Sequence, residues 1–80
     1  MNSNEIIRTS SVLSQQELAE LESRIQFRLT GRIRGFRLSV CGNGLVLKGY
    51  TRTYYVKQLA QHALMEVVDL PIQANEIDVM

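Results

Sequence analysis

The spacing of apolar residues switches between two periods along the chain, and this order of periods constrains the fold more than any single motif does. Apolar residues recur at helical spacing over residues 18–29 and again over 56–67, whereas they alternate over 36–40, 45–47 and 72–79. A stripe that repeats every three or four residues indicates an amphipathic helix, and alternation indicates a half-buried strand. The sequence therefore predicts the element order α-β-β-α-β.

Local signals mark the ends of the first helix. Ser14 and Glu17 have the spacing of a capping box, in which each side chain accepts a hydrogen bond from the backbone amide of the other residue. Gly31 follows the last apolar residue of the stripe and can adopt the left-handed conformation that ends many helices. The first helix is therefore predicted over residues 15–30.

Turn and capping residues divide the rest of the chain. Residues 42–44 read Gly-Asn-Gly, which suits a hairpin turn between two strands. Thr51 or Thr53 can cap the second helix, and Pro71 ends any helix before it. The second helix then becomes the crossover from the second strand to the last one, and this crossover is right-handed if the two strands are parallel.

Two amphipathic helices and three strands fit one small domain. Eighty residues suffice for a single domain, and two helices on one face of a three-stranded sheet form a stable two-layer arrangement. We therefore predict an α+β, α-β-β-α-β two-layer sandwich over residues 14–80, preceded by a loosely ordered N-terminal tail over residues 1–13. The predicted core consists of Leu21, Ile25, Leu38, Leu47, Leu59, Ala63 and Ile77.

Composition narrows the functional classes. Hydrophobic residues make up 45% of the chain and the net charge is +1, which describes an ordinary globular domain and not a binder of polyanions by bulk charge. Cys41 is the single cysteine, so it has no partner for an internal disulfide or a zinc site, and a reducing compartment is favoured. No signal-peptide core and no apolar run of about 18 residues is present. A cytoplasmic location without a transmembrane segment is therefore predicted.

The order and spacing of these elements resemble the BON domain family over roughly residues 17–79. Residues 45–49 are similar to the family's second strand, in which two alternating apolar residues precede a glycine, and residues 75–79 are similar to its closing Asn-x-Ile-x-Val strand. The helices supply similar apolar positions at Leu21, Ile25, Leu29, Ala60, Ala63, Leu64 and Val67. The chain departs from the pattern at residues 69–70, where the family usually has Gly-Val, and at Asn43, where it has a turn glycine. The resemblance implies a binding module, because BON domains have been linked to phospholipid binding and to protein interactions.

Five of the nine basic residues lie between residues 24 and 37. One interpretation is a solvated helix end, because basic residues late in a helix complement its dipole. The alternative is an anion-binding surface, since Arg32 and Arg34 lie beyond the helix between two glycines. The predicted site for anionic phospholipid head groups consists of Arg28, Arg32, Ile33, Arg34 and Arg37, with Ile33 as a shallow apolar wedge.

Several apolar residues lie off the helical stripes. Phe27 is nearly opposite the stripe of the first helix, and Tyr54 and Met65 are opposite the stripe of the second. Single exposed apolar residues are normal, but several of them in a domain without a second core indicate a protein contact. We therefore predict a protein interface at Phe27, Tyr54 and Met65; incidental exposure and a shifted helix register are the alternatives.

No combination of residues indicates catalysis, a metal or a cofactor. His62 lacks a second ligand or a substrate-facing partner, and Cys41 lacks a base that would activate its thiol. We therefore predict a non-enzymatic interaction module that binds a protein partner or itself, as a homodimer. Anionic phospholipid binding is the alternative. RNA binding ranks third, because Gly31 and Gly35 enclose three residues and lead into a strand, unlike the Gly-x-x-Gly loop between the helices of a KH domain.

Overall fold

Residues 13–80 are described by a computed structural model, and they form two helices and a three-stranded mixed sheet. The elements in chain order are α1 (Gln15–Arg28), β1 (Arg34–Cys41), β2 (Gly44–Thr51), α2 (Tyr54–Met65) and β3 (Ile72–Val79). The predicted α+β fold class and element order are confirmed. The predicted tail lies outside the described residues except for Leu13, which packs against the core.

The strands are arranged in the order β1-β2-β3, so that β2 is central. The hairpin turn makes β1 antiparallel to β2, whereas α2 crosses over so that β3 runs parallel to β2. Arg34 pairs with Tyr50, and Thr51 pairs with Val79. The start of β1 and the ends of β2 and β3 therefore lie at the same end of the sheet, where the candidate site is found.

The β1–β2 ladder contains a bulge near the end opposite the hairpin turn. The register shifts between Arg34 and Arg37, and Gly35 lies in the shifted segment with a φ of 61°. Gly49, on the opposite strand, allows the chain before the bulge to pass closely. A Cβ atom at Gly49 would lie 2.8 Å from Cγ2 of Ile33 and 3.1 Å from the carbonyl oxygen of Arg34. A side chain at residue 49 is therefore incompatible with this packing.

Both helices pack on one face of the sheet, and the core lies between the two layers. Five of the seven predicted core residues are buried, whereas Leu21 and Leu59 are partly buried and pack against the core from its margin. The largest fully buried side chains are Ile25, Ile33, Leu45, Leu47, Leu64 and Ile77. The predicted two-layer packing is therefore present, with Ile33 as a core residue that the sequence did not indicate.

Helix α1 begins where its capping box predicts and ends two residues earlier than expected. The Glu17 amide donates to Ser14 Oγ at 3.1 Å, and the Ser14 amide donates to Glu17 Oε1 at 2.8 Å. At the other end, the amide of Gly31 donates to the carbonyl of Gln26, and the amide of Thr30 donates to that of Phe27. This is a Schellman motif with Thr30 at the left-handed position, φ 54°, where glycine is usual.

Helix α2 is capped by Thr53, whose Oγ1 accepts from the amide of Val56 at 3.2 Å. The helix ends at Met65, so Val67 lies beyond it, although its side chain still packs against the core. Across residues 13–80, no helix is long and apolar enough to cross a membrane.

Side chains cap an amide on each outer strand. Glu22 Oε2 accepts from the amide of Leu38 on β1 at 2.9 Å, and Asn75 Oδ1 accepts from the amide of Ile77 on β3 at 3.2 Å. Unpaired strand edges can recruit a strand from another chain. These two caps partly obstruct such pairing at the sheet edges.

Candidate anion-binding groove

A groove of about 650 Å³ opens at the end of the sheet where β2 finishes and α2 begins. Its walls come from the loop after α1, the start of β1, the end of β2 and the first turn of α2. The residues that give it its chemistry are Arg32, Arg34, Tyr50, Arg52 and Tyr55. We call this surface the basic groove.

The basic groove carries positive charge that no described residue neutralises. Within residues 13–80, three arginines line it, whereas no aspartate or glutamate does. The ion pairs made within residues 13–80 join Arg28 to Glu66 and Lys48 to Glu76, and neither involves an arginine of the groove. A guanidinium group offers several donors in a planar fork that matches phosphate and carboxylate oxygens. The groove is therefore suited to hold an anion.

The loop that carries two of these arginines is anchored from both sides. Thr51 Oγ1 donates to the carbonyl of Arg32 at 3.1 Å, and Gln26 Nε2 donates to the carbonyl of Ile33 at 2.9 Å. Thr51 is itself buried. Because the backbone is fixed on either side of Ile33, the bases of the Arg32 and Arg34 side chains are held in place before any ligand arrives.

The prediction that Ile33 acts as an exposed apolar wedge is wrong. Its side chain is 1% exposed and packs in the core, over the space that Gly49 leaves open. The physical reason is packing: the chain bends at Ile33, and the isoleucine fills the space over Gly49 while Arg32 and Arg34 on either side are exposed. Ile33 therefore anchors in the core the segment that carries Arg32 and Arg34.

Two other members of the predicted arginine site lie away from the groove. Arg28 forms its ion pair with Glu66, which joins the last turn of α1 to the end of α2. Arg37 pairs in register with Lys48 on the sheet face that the helices leave open. Of the predicted residues, the fold thus brings together Arg32 and Arg34 in the groove.

Sequence reasoning missed Tyr50, Arg52 and Tyr55. Arg52 follows β2 and lies 18 residues from Arg34 along the chain, so no local cluster includes it. The position of the hairpin turn nevertheless indicates which residues of β2 lie beside the start of β1. Counting back along both strands from residues 42–43 places the start of β1 opposite residues 50 and 51, as the Arg34–Tyr50 pair shows.

The predicted protein-interface residues are exposed, but they do not form one patch. Phe27 is 87% exposed, Tyr54 62% and Met65 53%. Tyr54 and Met65 lie at the two ends of α2, about 16 Å apart along the helix axis at about 1.5 Å per residue. The Tyr54 hydroxyl accepts from Gln58 Nε2 at 2.6 Å. Phe27 is the most exposed of the three and the strongest single contact candidate.

The remaining polar candidates stay isolated. Cys41 and His62 are both exposed, and the described part of the chain contains no group of three His, Cys, Asp or Glu side chains that could hold a metal ion. Residues 42–43 form the hairpin turn, with Gly42 at a φ of 63°. The charged and aromatic side chains that the fold brings together therefore lie in the basic groove.

Comparisons of this chain with protein-family models, with curated proteins and with solved structures found no match. The resemblance to BON domains accordingly stays a prediction.

Proposed function

We propose that this chain is a non-enzymatic binding module that holds the phosphate groups of anionic ligands in the basic groove. The observation that carries this proposal is the meeting of Arg32, Arg34 and Arg52 in one groove that no aspartate or glutamate of residues 13–80 lines. The proposal keeps Arg32 and Arg34 of the arginine site predicted from the sequence, omits its other three members and adds Arg52.

The arrangement favours an anion for two reasons. Like charges held close together repel one another, and an anion placed between them relieves this repulsion. The anchored loop also limits the ordering that binding requires, because the backbone of Arg32 and Ile33 is already hydrogen-bonded to Thr51 and Gln26.

Phospholipid head groups are one source of such phosphates. Each basic residue near an anionic membrane contributes about 1 kcal/mol, so three arginines give about 3 kcal/mol, or roughly a hundredfold preference for anionic over neutral membranes. Because Ile33 is buried, it adds no apolar wedge to this. Binding should therefore be weak and should fall steeply with salt.

Flotation with phosphatidylcholine vesicles, with and without phosphatidylserine, tests the membrane source. Calorimetric titration with inorganic pyrophosphate tests the soluble one. We expect the Arg32→Gln, Arg34→Gln variant to lose binding to either ligand. The matched control is Arg24→Gln, Arg37→Gln, which removes two charges outside the groove. If the wild type binds neither ligand at low salt, the proposal is wrong.

Self-association is a second candidate, and the exposure of Phe27 favours it. Burying a phenylalanine gains about 1.5–3 kcal/mol over leaving it in water. A two-fold interface uses the same patch on both chains and so gains this twice. The residues beside Phe27 on α1, Ser23 and Arg24, are exposed and polar, so the aromatic ring would be the anchor of a small contact.

Sedimentation of the full chain over a range of concentrations tests this candidate. We expect a dimer that Phe27→Asp converts to a folded monomer and that Tyr54→Asp, at the end of α2 opposite the Arg28–Glu66 ion pair, leaves intact. A wild-type chain that stays monomeric at the highest concentration would exclude the dimer.

A further inference from the structure

The geometry points to a nucleoside phosphate as the ligand of the basic groove, with its phosphates on the arginines and its base against Tyr50 and Tyr55. This inference rests on the proposed function, because it assumes that the groove holds phosphate. It adds the base, which is the part of the ligand that the positive charge of the arginines does not specify.

The rings of Tyr50 and Tyr55 lie beside the arginines of the groove, and neither ring has a structural role that explains its position. Tyr50 is 49% exposed and Tyr55 is 66% exposed, although both line the groove. Neither hydroxyl makes a hydrogen bond to another residue in the described range 13–80, whereas Val56, the neighbour of Tyr55, is the buried one. Aromatic faces that are open to a ligand can stack on nucleobases of any sequence.

The rings and the cations are close enough to engage one small ligand. Arg34 and Tyr50 are cross-strand partners, which places their Cα atoms about 4.5–5.5 Å apart. Arg52 lies two residues beyond Tyr50, at most about 7 Å along the chain. Phosphate contacts and ring contacts can therefore be made within the dimensions of a single nucleotide.

An acyl chain fits the same groove less well. Among the apolar residues of its lining, Val56 is packed into the core and Met80 is a single exposed side chain. Ile33, which could have extended this apolar surface, is buried. A planar base needs only the two exposed rings, whereas a long acyl chain needs a continuous apolar channel.

A long nucleic acid also fits less well than a mononucleotide. Strands of nucleic acid follow an extended basic track, but acidic residues flank the groove on the sheet. Asp78 pairs in register with Tyr50, and Glu76 forms an ion pair with Lys48 in the next row. The positive surface is therefore short, which favours a ligand with two or three phosphates and one base.

Calorimetric titration of the full chain with ADP, pyrophosphate and adenosine, without added metal, tests the inference. ADP and pyrophosphate share the diphosphate, so their difference reports on the base. We expect ADP to bind about tenfold more tightly than pyrophosphate, which corresponds to one stacked base. Adenosine should bind more weakly than ADP, because it lacks the phosphates.

Substitutions at Tyr50 and Tyr55 then test whether these rings contact the base. Tyr50→Leu and Tyr55→Leu should reduce ADP binding toward the level of pyrophosphate and leave pyrophosphate unchanged. Tyr50→Phe and Tyr55→Phe should retain the preference, because they keep the ring, and circular dichroism checks that every variant folds. Tyr54→Leu is the matched control, an exposed tyrosine outside the groove.

Equal affinities for ADP and pyrophosphate would overturn the nucleotide inference and leave phosphate binding in place. The nucleotide inference is likewise overturned if Tyr54→Leu weakens ADP binding as much as the two groove variants do. If pyrophosphate, ADP and anionic vesicles all fail to bind, the proposed function falls together with this inference.

Discussion

Replacing Ile33 by alanine tests whether the loop of the basic groove is built on a core residue. The isoleucine lies between two exposed arginines in the sequence, yet its side chain is 1% exposed. Its Cγ2 atom occupies the space above Gly49, where a Cβ would come within 2.8 Å of it. Truncation therefore leaves a cavity between the loop and β2.

The expected cost follows from the atoms removed. Ile33→Ala deletes three carbon atoms, and each buried methylene contributes about 0.8 kcal/mol, which gives about 2.4 kcal/mol before the cavity is counted. With the cavity, the loss is about 3–4 kcal/mol, within the range measured for buried isoleucines. For a domain of this length, whose stability is about 4–12 kcal/mol, this is a large fraction.

Urea denaturation followed by circular dichroism measures the free energy of unfolding. Ile33→Val is the graded comparison and should cost about 0.5–1.5 kcal/mol. Tyr54→Ala is the exposed control and should lie within about 0.5 kcal/mol of the wild type. An Ile33→Ala variant as stable as Tyr54→Ala would show that residue 33 is exposed, and the anchored groove would then be refuted.

Three further substitutions probe the same region, each measured by urea denaturation. Thr30→Gly should stabilise the chain by about 1 kcal/mol, because it removes a β-branched residue from a left-handed conformation; a loss would mean that the Thr30 side chain stabilises the turn. Thr51→Val should cost about 1–2 kcal/mol and weaken pyrophosphate binding, because the Arg32 carbonyl loses its donor, while Thr51→Ser should keep binding. Gly49→Ala should cost at least about 1–3 kcal/mol through its contact with Ile33; an unchanged stability would contradict the close approach.

Much of the fold could be predicted because its determinants are local. Caps and hydrophobic periodicity lie within a few residues of the elements that they define, and the capping box at Ser14 and the limits of β3 are found as predicted. Periodicity fails where an element is short. Residues 32–34 lie between two glycines, too few to show a period, so the direction of Ile33 could not be inferred.

The candidate site was harder to predict because it depends on long-range pairing. Arg28 and Glu66 are 38 residues apart, and nothing local shows that this arginine is already paired. Arg52 joins Arg34 only once the strand order and the bulge at Gly35 are known. The sequence thus indicated the chemistry of the site, whereas the fold selects which arginines belong to it.

The most direct test of the basic groove compares Arg52→Gln with Arg37→Gln in a pyrophosphate titration at low salt. Arg37 belongs to the basic stretch of the sequence but lies outside the groove, whereas Arg52 lies outside that stretch and inside the groove. Each variant removes one positive charge, so bulk charge cannot distinguish them. We expect Arg52→Gln to weaken binding about tenfold or more, which corresponds to one lost charged hydrogen bond, and Arg37→Gln to leave it nearly unchanged. Equal losses in the two variants, or a larger loss in Arg37→Gln, would contradict the groove as the binding site.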